Sequence, residues 1–216
     1  MRPKFLLPIL AVACLSLAGP ASAFILPSDL DPYAGKRALD RADPDSGPLA
    51  PEKPAQVDLE EEFSLDWNGY KIEAVQGFAI EALALGKKEY FEGDMGALVP
   101  VDLALAWGEA SDPAWVKHLR VTQSERLYRW SFPRGTELVQ ETVEVSSANM
   151  HMMPATPEIL EILKSVGPGD VVRISGFLVN ISNEEGFEWN SSLVRTDAGL
   201  GACELILVES VEIDRD

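Results

Sequence analysis

Asn68-Gly69 stands between two runs of strict alternation, Phe63, Leu65 and Trp67 before it and Tyr70, Ile72 and Ala74 after it. Asn-Gly supplies the two positive-φ positions of a type I′ turn, whose twist matches that of the strands it joins. The pattern predicts a hairpin with Trp67 facing Tyr70 and Leu65 facing Ile72. Alternation runs on through Phe78, Ile80 and Ala82, so the second strand is long, with a bend near Gly77. Further strands are predicted at 120–123, 128–132, 142–146, 188–194 and 203–213. In 170–182 the apolar side is Val172 and Ile174 before Gly176 but Phe177, Val179 and Ile181 after it, and a β-bulge at Gly176 restores one inward face.

Helical signals are short. Asp102 reads as the cap of a helix through Leu103, Ala106 and Trp107 ending at Gly108, and Ser111-Asp112-Pro113 places a cap before Pro at the first helical position. The strongest helix starts at Thr156-Pro157, puts Ile159, Ile162, Leu163 and Val166 on one face and stops at Gly167-Pro168. The predicted class is α+β, mostly antiparallel β, forming a small OB-like barrel with short peripheral helices.

The folded material does not start at residue 1. Arg2 and Lys4, an apolar run of about 14 residues and Ala21-Ser22-Ala23 have the order of a secretory signal, too short for the roughly 20 residues of a membrane-spanning helix. Cleavage after Ala23 is expected, and lipoprotein anchoring at Cys14 is disfavoured because Ala11 stands where that motif has Leu. Residues 24–56, rich in Pro, Asp and Gly, read as a disordered leader. Residues 57–216 then form a β-rich domain of about 160 residues, with a subdivision near 135–140 and an OB-like C-terminal half. Signal removal leaves Cys203 as the sole thiol in an oxidising compartment, so the fold rests on its core rather than on a disulfide.

The charge excludes one class of partner. With 35 acidic and 18 basic residues the chain carries −17, whereas nucleic-acid binding draws its affinity from Lys and Arg neutralising phosphates. Signal cleavage lowers the charge by two more. No transmembrane helix is expected after cleavage, and Glu60-Glu61-Glu62 reads as a solvated run.

Four segments, DLALAWGEASD at 102–112, SSANMHMMPAT at 146–156, GDVVRISGFLVNI at 169–181 and WNSSLVRTDAGLGACE at 189–204, resemble a family of small exported bacterial proteins of uncharacterised function. The resemblance implies a bacterial, periplasmic address and marks His151, Trp189, Ser192, Arg195, Asp197, Cys203 and Glu204 as candidate positions. It implies no activity.

Three chemistries are open to these residues. His151, Trp189, Ser192, Arg195, Asp197 and Glu204 can line a site for a protein, peptide or small-molecule ligand, with no cofactor. Met150, His151, Met152 and Met153 have the soft donors that suit Cu(I), although alternation puts Met150 and Met152 on one side and His151 and Met153 on the other. Cys203, with Arg195 to favour the thiolate, His151 as base and Asn149 as its orienter, has the inventory of a thiol enzyme. A serine triad through Ser191 or Ser192 lacks the nucleophile elbow. Gly199-Leu200-Gly201 lacks the Lys of a phosphate loop. A non-enzymatic exported binding or assembly domain is the leading expectation.

Overall fold

A computed structural model of the chain describes residues 37–136, 139–194 and 203–214. The expected signal, Cys14, residues 24–36, Arg195 and Asp197 lie outside the described residues. In chain order the elements are α1 (Ala38–Arg41), β1 (Ala55–Asp58), β2 (Ser64–Trp67), β3 (Tyr70–Glu89), α2 (Gly93–Leu98), β4 (Val101–Ala106), a 3-10 turn (Gly108–Ser111), α3 (Pro113–Val116), β5 (Arg120–Ser124), β6 (Leu127–Ser131), α4 (Gln140–Val145), β7 (Ser147–Pro154), α5 (Pro157–Ser165), β8 (Val171–Asn183), β9 (Glu188–Asn190) and β10 (Leu205–Asp214). No helix among them is long and apolar enough to cross a membrane.

The chain is α+β with mostly antiparallel pairing. The Asn68-Gly69 turn forms with φ of 46° and 82°, and Trp67 pairs with Tyr70 and Leu65 with Ile72. β3 is long enough to pair with β8 along one edge and with β2, β1 and β4 in succession along the other. The pairings β3–β4, β4–β7, β7–β10, β10–β8 and β8–β3 close a ring, in which only β7 and β10 run parallel. Strands on both sides of residues 135–140 enter this ring. Near Gly77 the strand is irregular at Val75, the extra residue between Ala74 and Gln76, and Gly77 itself marks a close approach, since a Cβ there would stand 2.7 Å from Val57 Cγ2. The register shifts of β3 fall between Ala74 and Gln76 and between Ala84 and Gly86.

Two apolar clusters lie on opposite faces of the ring strands. The main core takes Phe78, Leu103, Met150, Ile174, Leu178 and Ile206, one or more from every ring strand, and α5 adds Ile159 and Leu163. Thr156 caps α5 by accepting from the Ile159 N–H. The second cluster holds Ile72, Met153, Val179, Ile181, Leu205 and Leu207, with Phe63, Phe177 and Trp189 against it.

This double burial accounts for most of the differences from the sequence reading. Residues 101–106 are a strand, not a helix capped by Asp102, because all six are buried, and a strand covered on both faces shows no alternation to distinguish it from a short helix. Gly176 is not a bulge that resets one face. Val172, Ile174 and Leu178 fill the main core while Val179 and Ile181 fill the second, so alternation runs through Gly176 unbroken. The extra residues sit on the partners, Glu209 on β10 and Val75 on β3.

Residues 140–145 are a helix rather than a strand. Only Val143 is buried, and 147–154 takes the place beside β4. Ile162 lies on the outer side of α5. The strand expected at 188–194 ends at Asn190. Part of the expected flexible leader packs on the domain, since Ala50 is fully buried with its N–H bonded to Ser111 Oγ and Arg37 bonds the Pro168 carbonyl.

Candidate functional site

Asp102 is the one charged residue of β4, and its side chain has no exposure to solvent. A buried carboxylate persists only with partners that replace its hydration. β4 and β7 supply the first of them, because their register sets Asp102 opposite His151 and Ala104 opposite Asn149, placing all these side chains on one face. Asp102 Oδ1 meets His151 Nδ1 at 2.8 Å, and Oδ2 accepts from Asn149 Nδ2 at 3.3 Å. A carboxylate at Nδ1 selects the tautomer with the proton on that nitrogen, leaving Nε2 as the acceptor of the neutral ring.

The β5–β6 hairpin closes over this face. Arg126 Nη1 donates to Asp102 Oδ1 at 2.7 Å, and Gln123 Nε2 donates to Asn149 Oδ1 at 2.7 Å. Gly86 admits the hairpin, since a Cβ there would stand 2.6 Å from Gln123 Oε1. The hairpin turn has Glu125 at φ 52° and Arg126 at φ 65°, the left-handed region usually taken by Asn-Gly, at a cost of roughly 1–2 kcal/mol per residue. Arg126 is held there at three points besides Asp102. Its N–H donates to Tyr90 Oη at 3.0 Å, its carbonyl accepts from Asn149 Nδ2 at 3.0 Å, and Nη2 donates to the Met95 carbonyl at 3.3 Å.

Aromatic rings flank the charges. The Arg126 guanidinium lies 3.6 Å from the Tyr90 ring centroid and 5.6 Å from that of Trp189, within the reach of cation–π attraction. Trp189 meets the His151 ring edge-on at 4.9 Å. Tyr90, Arg126 and Trp189 are half-buried, whereas Asp102, Asn149 and His151 are buried beneath them. The half-buried trio forms the accessible surface, and the buried trio fixes its shape.

Several of the positions marked by the resemblance meet here. The His151 N–H donates to the Glu204 carbonyl at 2.8 Å, the Ser192 N–H to the Cys203 carbonyl at 3.0 Å, and Ser191 Oγ accepts from the Leu205 N–H at 3.1 Å. Ser192 Oγ is tied to Val194, so both serines brace the chain leading into β10. Asp102, rather than Asn149, orients His151. Met150 and Met152 are fully buried in the main core, on the face opposite His151, and Met153 is buried in the second cluster. Among the described residues no group of three His, Cys, Asp or Glu side chains could hold a metal ion.

Sequence reading overlooked Asp102 as a site residue, and with it Tyr90, Gln123 and Arg126. A lone acid inside the apolar run VDLALA is itself a signal that partners exist. Comparison with protein-family models, curated proteins and solved structures returns no match.

Tyr90, and Tyr128 opposite Gln123 in the hairpin, have hydroxyl pKa values raised above the ordinary tyrosine range. Burial pushes the Tyr128 hydroxyl up, against the opposite effect of its hydrogen bond with Ser147, and the Cys203 thiol adds to the rise. Burial likewise raises Tyr90, while the N–H donated by Arg126 lowers it. Unfolding therefore releases protons above about pH 10, where the unfolded chain binds fewer of them, and stability falls as pH rises through the raised folded values. Tyr128→Phe is expected to flatten the decline of the urea midpoint above about pH 10; an unchanged slope would place the effect elsewhere.

Proposed function

We propose that this chain is an exported, periplasmic, non-enzymatic binding domain built on an OB-like barrel, with a protein, peptide or small-molecule ligand seated over Tyr90, Arg126 and Trp189. Support for the barrel comes from connectivity. Counted along the chain, the ring strands β3, β4, β7, β8 and β10 pair in the order first, second, third, fifth, fourth and back to first. The third and fifth are parallel and α5 lies between the third and fourth.

OB-folds bind ligands on the face of their second and third strands, with the loops joining strands one to two and four to five. The observation that carries the proposal is that the site draws on these same elements. Asp102 and His151 stand on the second and third strands, Tyr90 and Met95 in the first loop, and Trp189 in the last. The hydrogen-bonded layer beneath holds the aromatic and guanidinium groups in place before a ligand arrives, which reduces the ordering cost of binding. A charge of −17 disfavours nucleic acid as that ligand.

Photo-crosslinking tests the proposal. A photoreactive residue at exposed Glu188, beside Trp189, is expected to give a discrete adduct in the exporting cell that Trp189→Ala abolishes, while the same group at Ile162 gives none. A thiol-enzyme reading is favoured by the His151–Asp102 contact, the arrangement of a base and its orienting carboxylate. Turnover of an ester, peptide or glycoside panel, lost in Cys203→Ala and His151→Ala, would establish it in place of binding.

A further inference from the structure

We infer that the outward side of the β5–β6 hairpin, together with α3, is a second binding surface, for an anionic oligosaccharide. Acids outnumber bases 35 to 18 in this chain, and the basic side chains elsewhere mostly have acidic partners. Arg37, Arg41, Lys71, Lys87, Lys164 and Arg173 pair with Asp170, Asp214, Glu73, Glu89, Glu161 and Glu81. Lys117, Arg120, Arg129 and Arg134 are exposed, and none of them makes an ion pair among the described residues. The only acid between 113 and 136 is Glu125, at the hairpin turn. A concentration of cations without ion pairs among the described residues, on an acidic body, makes a local positive field with a negative surround.

Geometry makes the surface specific. The register sets Thr122 opposite Arg129, Arg120 opposite Ser131 and Ser124 opposite Leu127, so Arg120, Thr122, Ser124, Arg129 and Ser131 share the outward face with half-buried Leu127, while Val121, Gln123, Tyr128 and Trp130 turn inward. Adjoining it in sequence at both ends is a cavity lined by Trp115, His118, Pro133, Arg134, Gly135 and Thr136. His118 stands two residues before Arg120, and Arg134 three after Ser131. The outward face carries guanidinium and hydroxyl groups, with half-buried Leu127 its one aliphatic side chain, and the cavity adds an indole beside an imidazole and a guanidinium.

An acidic sugar uses each of these groups. Its carboxylate suits bidentate capture by arginine, its hydroxyls suit Ser and Thr, and the apolar face of its ring suits the indole. A protein partner would need a cluster of apolar anchors, whereas this face offers half-buried Leu127 alone among its hydroxyl and guanidinium side chains. A nucleic acid, being long, would run off the patch onto the acidic remainder of the surface.

Titration calorimetry on the full mature protein with tetragalacturonate as probe tests this, with maltotetraose, an oligo-aspartate peptide and an oligo-dT of ten nucleotides as comparators. Tetragalacturonate is expected to bind, to weaken with added salt, and to lose at least tenfold in affinity in Arg129→Glu and in Arg134→Ala. Arg129→Gln, a milder change at an exposed position, is expected to weaken binding with an unchanged melting temperature. Maltotetraose should not bind. Trp189→Ala should leave tetragalacturonate binding intact, which separates this surface from the site on the other side of the hairpin. Absence of tetragalacturonate binding, equal binding by the peptide or the oligo-dT, or indifference to both arginine substitutions would overturn the inference.

Discussion

Asp102→Ala is expected to destabilise the protein by about 3 kcal/mol, the lower end of the cost of removing one partner from a buried charged network. Asp102 is fully buried and accepts from Arg126, His151 and Asn149. Without it, His151 keeps a buried Nδ1 with no carboxylate facing it, and the guanidinium loses the group that holds it inside. Arg126 retains some exposure, with 22% of its side-chain surface accessible, so it can reach water, which keeps the loss from being larger. For a domain of this size the thermal midpoint should fall by roughly 6–12 °C. Replacing the set with apolar residues of similar volume, Asp102→Leu with Arg126→Met and His151→Phe, should recover most of the stability, because a buried ionic network is often no more stabilising than a packed apolar one. The Glu188 crosslink should nevertheless be lost in that triple variant, because the Arg126 guanidinium is gone from the site. A single Asp102→Ala change costing less than about 1 kcal/mol would mean that the network does not hold the hairpin down.

Local signals in the sequence suffice wherever the deciding interaction is local. Asn68-Gly69 sets a hairpin and its register, Asp112-Pro113 and Thr156-Pro157 set two helix starts, and alternation places Met150 and Met152 opposite His151. What fails depends on partners distant in the chain. Whether VDLALA is a helix or a strand turns on β3 and β7 pairing along its two edges while the main core and the β5–β6 hairpin cover its two faces, and the fate of 140–145 turns on 147–154 occupying the sheet. The site shows the same division. His151 and Trp189 stand out by residue type, but their meeting, and the assembly of Tyr90, Gln123 and Arg126 around Asp102, follows from a hairpin folding back across the sheet. Nothing local singles out Arg126 in a stretch that contains several arginines. Gly176 is conspicuous in its strand, but the reason for a glycine there comes from β10, some thirty residues downstream, and no local pattern shows it.

That requirement predicts the second large effect. A Cβ on Gly176 would stand 1.9 Å from the Leu207 carbonyl oxygen and 3.1 Å from the Glu209 N–H nitrogen, both backbone atoms. No rotamer change relieves such a contact, so β10 itself would have to move away from β8. β10 is held on its other edge by β7, where Leu207 pairs with Met153, and the displacement would open either that parallel pair or the β8–β10 ladder. Overpacking that flexible neighbours can absorb costs about 1–3 kcal/mol; with only backbone in the way, Gly176→Ala should reach or exceed the upper figure and leave little soluble, cooperatively folded protein. Gly186→Ala provides the control. Gly186 has φ 88°, and a Cβ there would meet nothing within 4 Å, so its replacement carries only the left-handed backbone penalty of about 1 kcal/mol. In urea titrations Gly186→Ala should keep a single transition at a modestly lower midpoint, whereas Gly176→Ala should show none. A Gly176→Ala protein within about 1 kcal/mol of the unsubstituted chain would mean that β10 does not close the ring against β8 at this point, and the site would then lose the strand that holds His151 from behind.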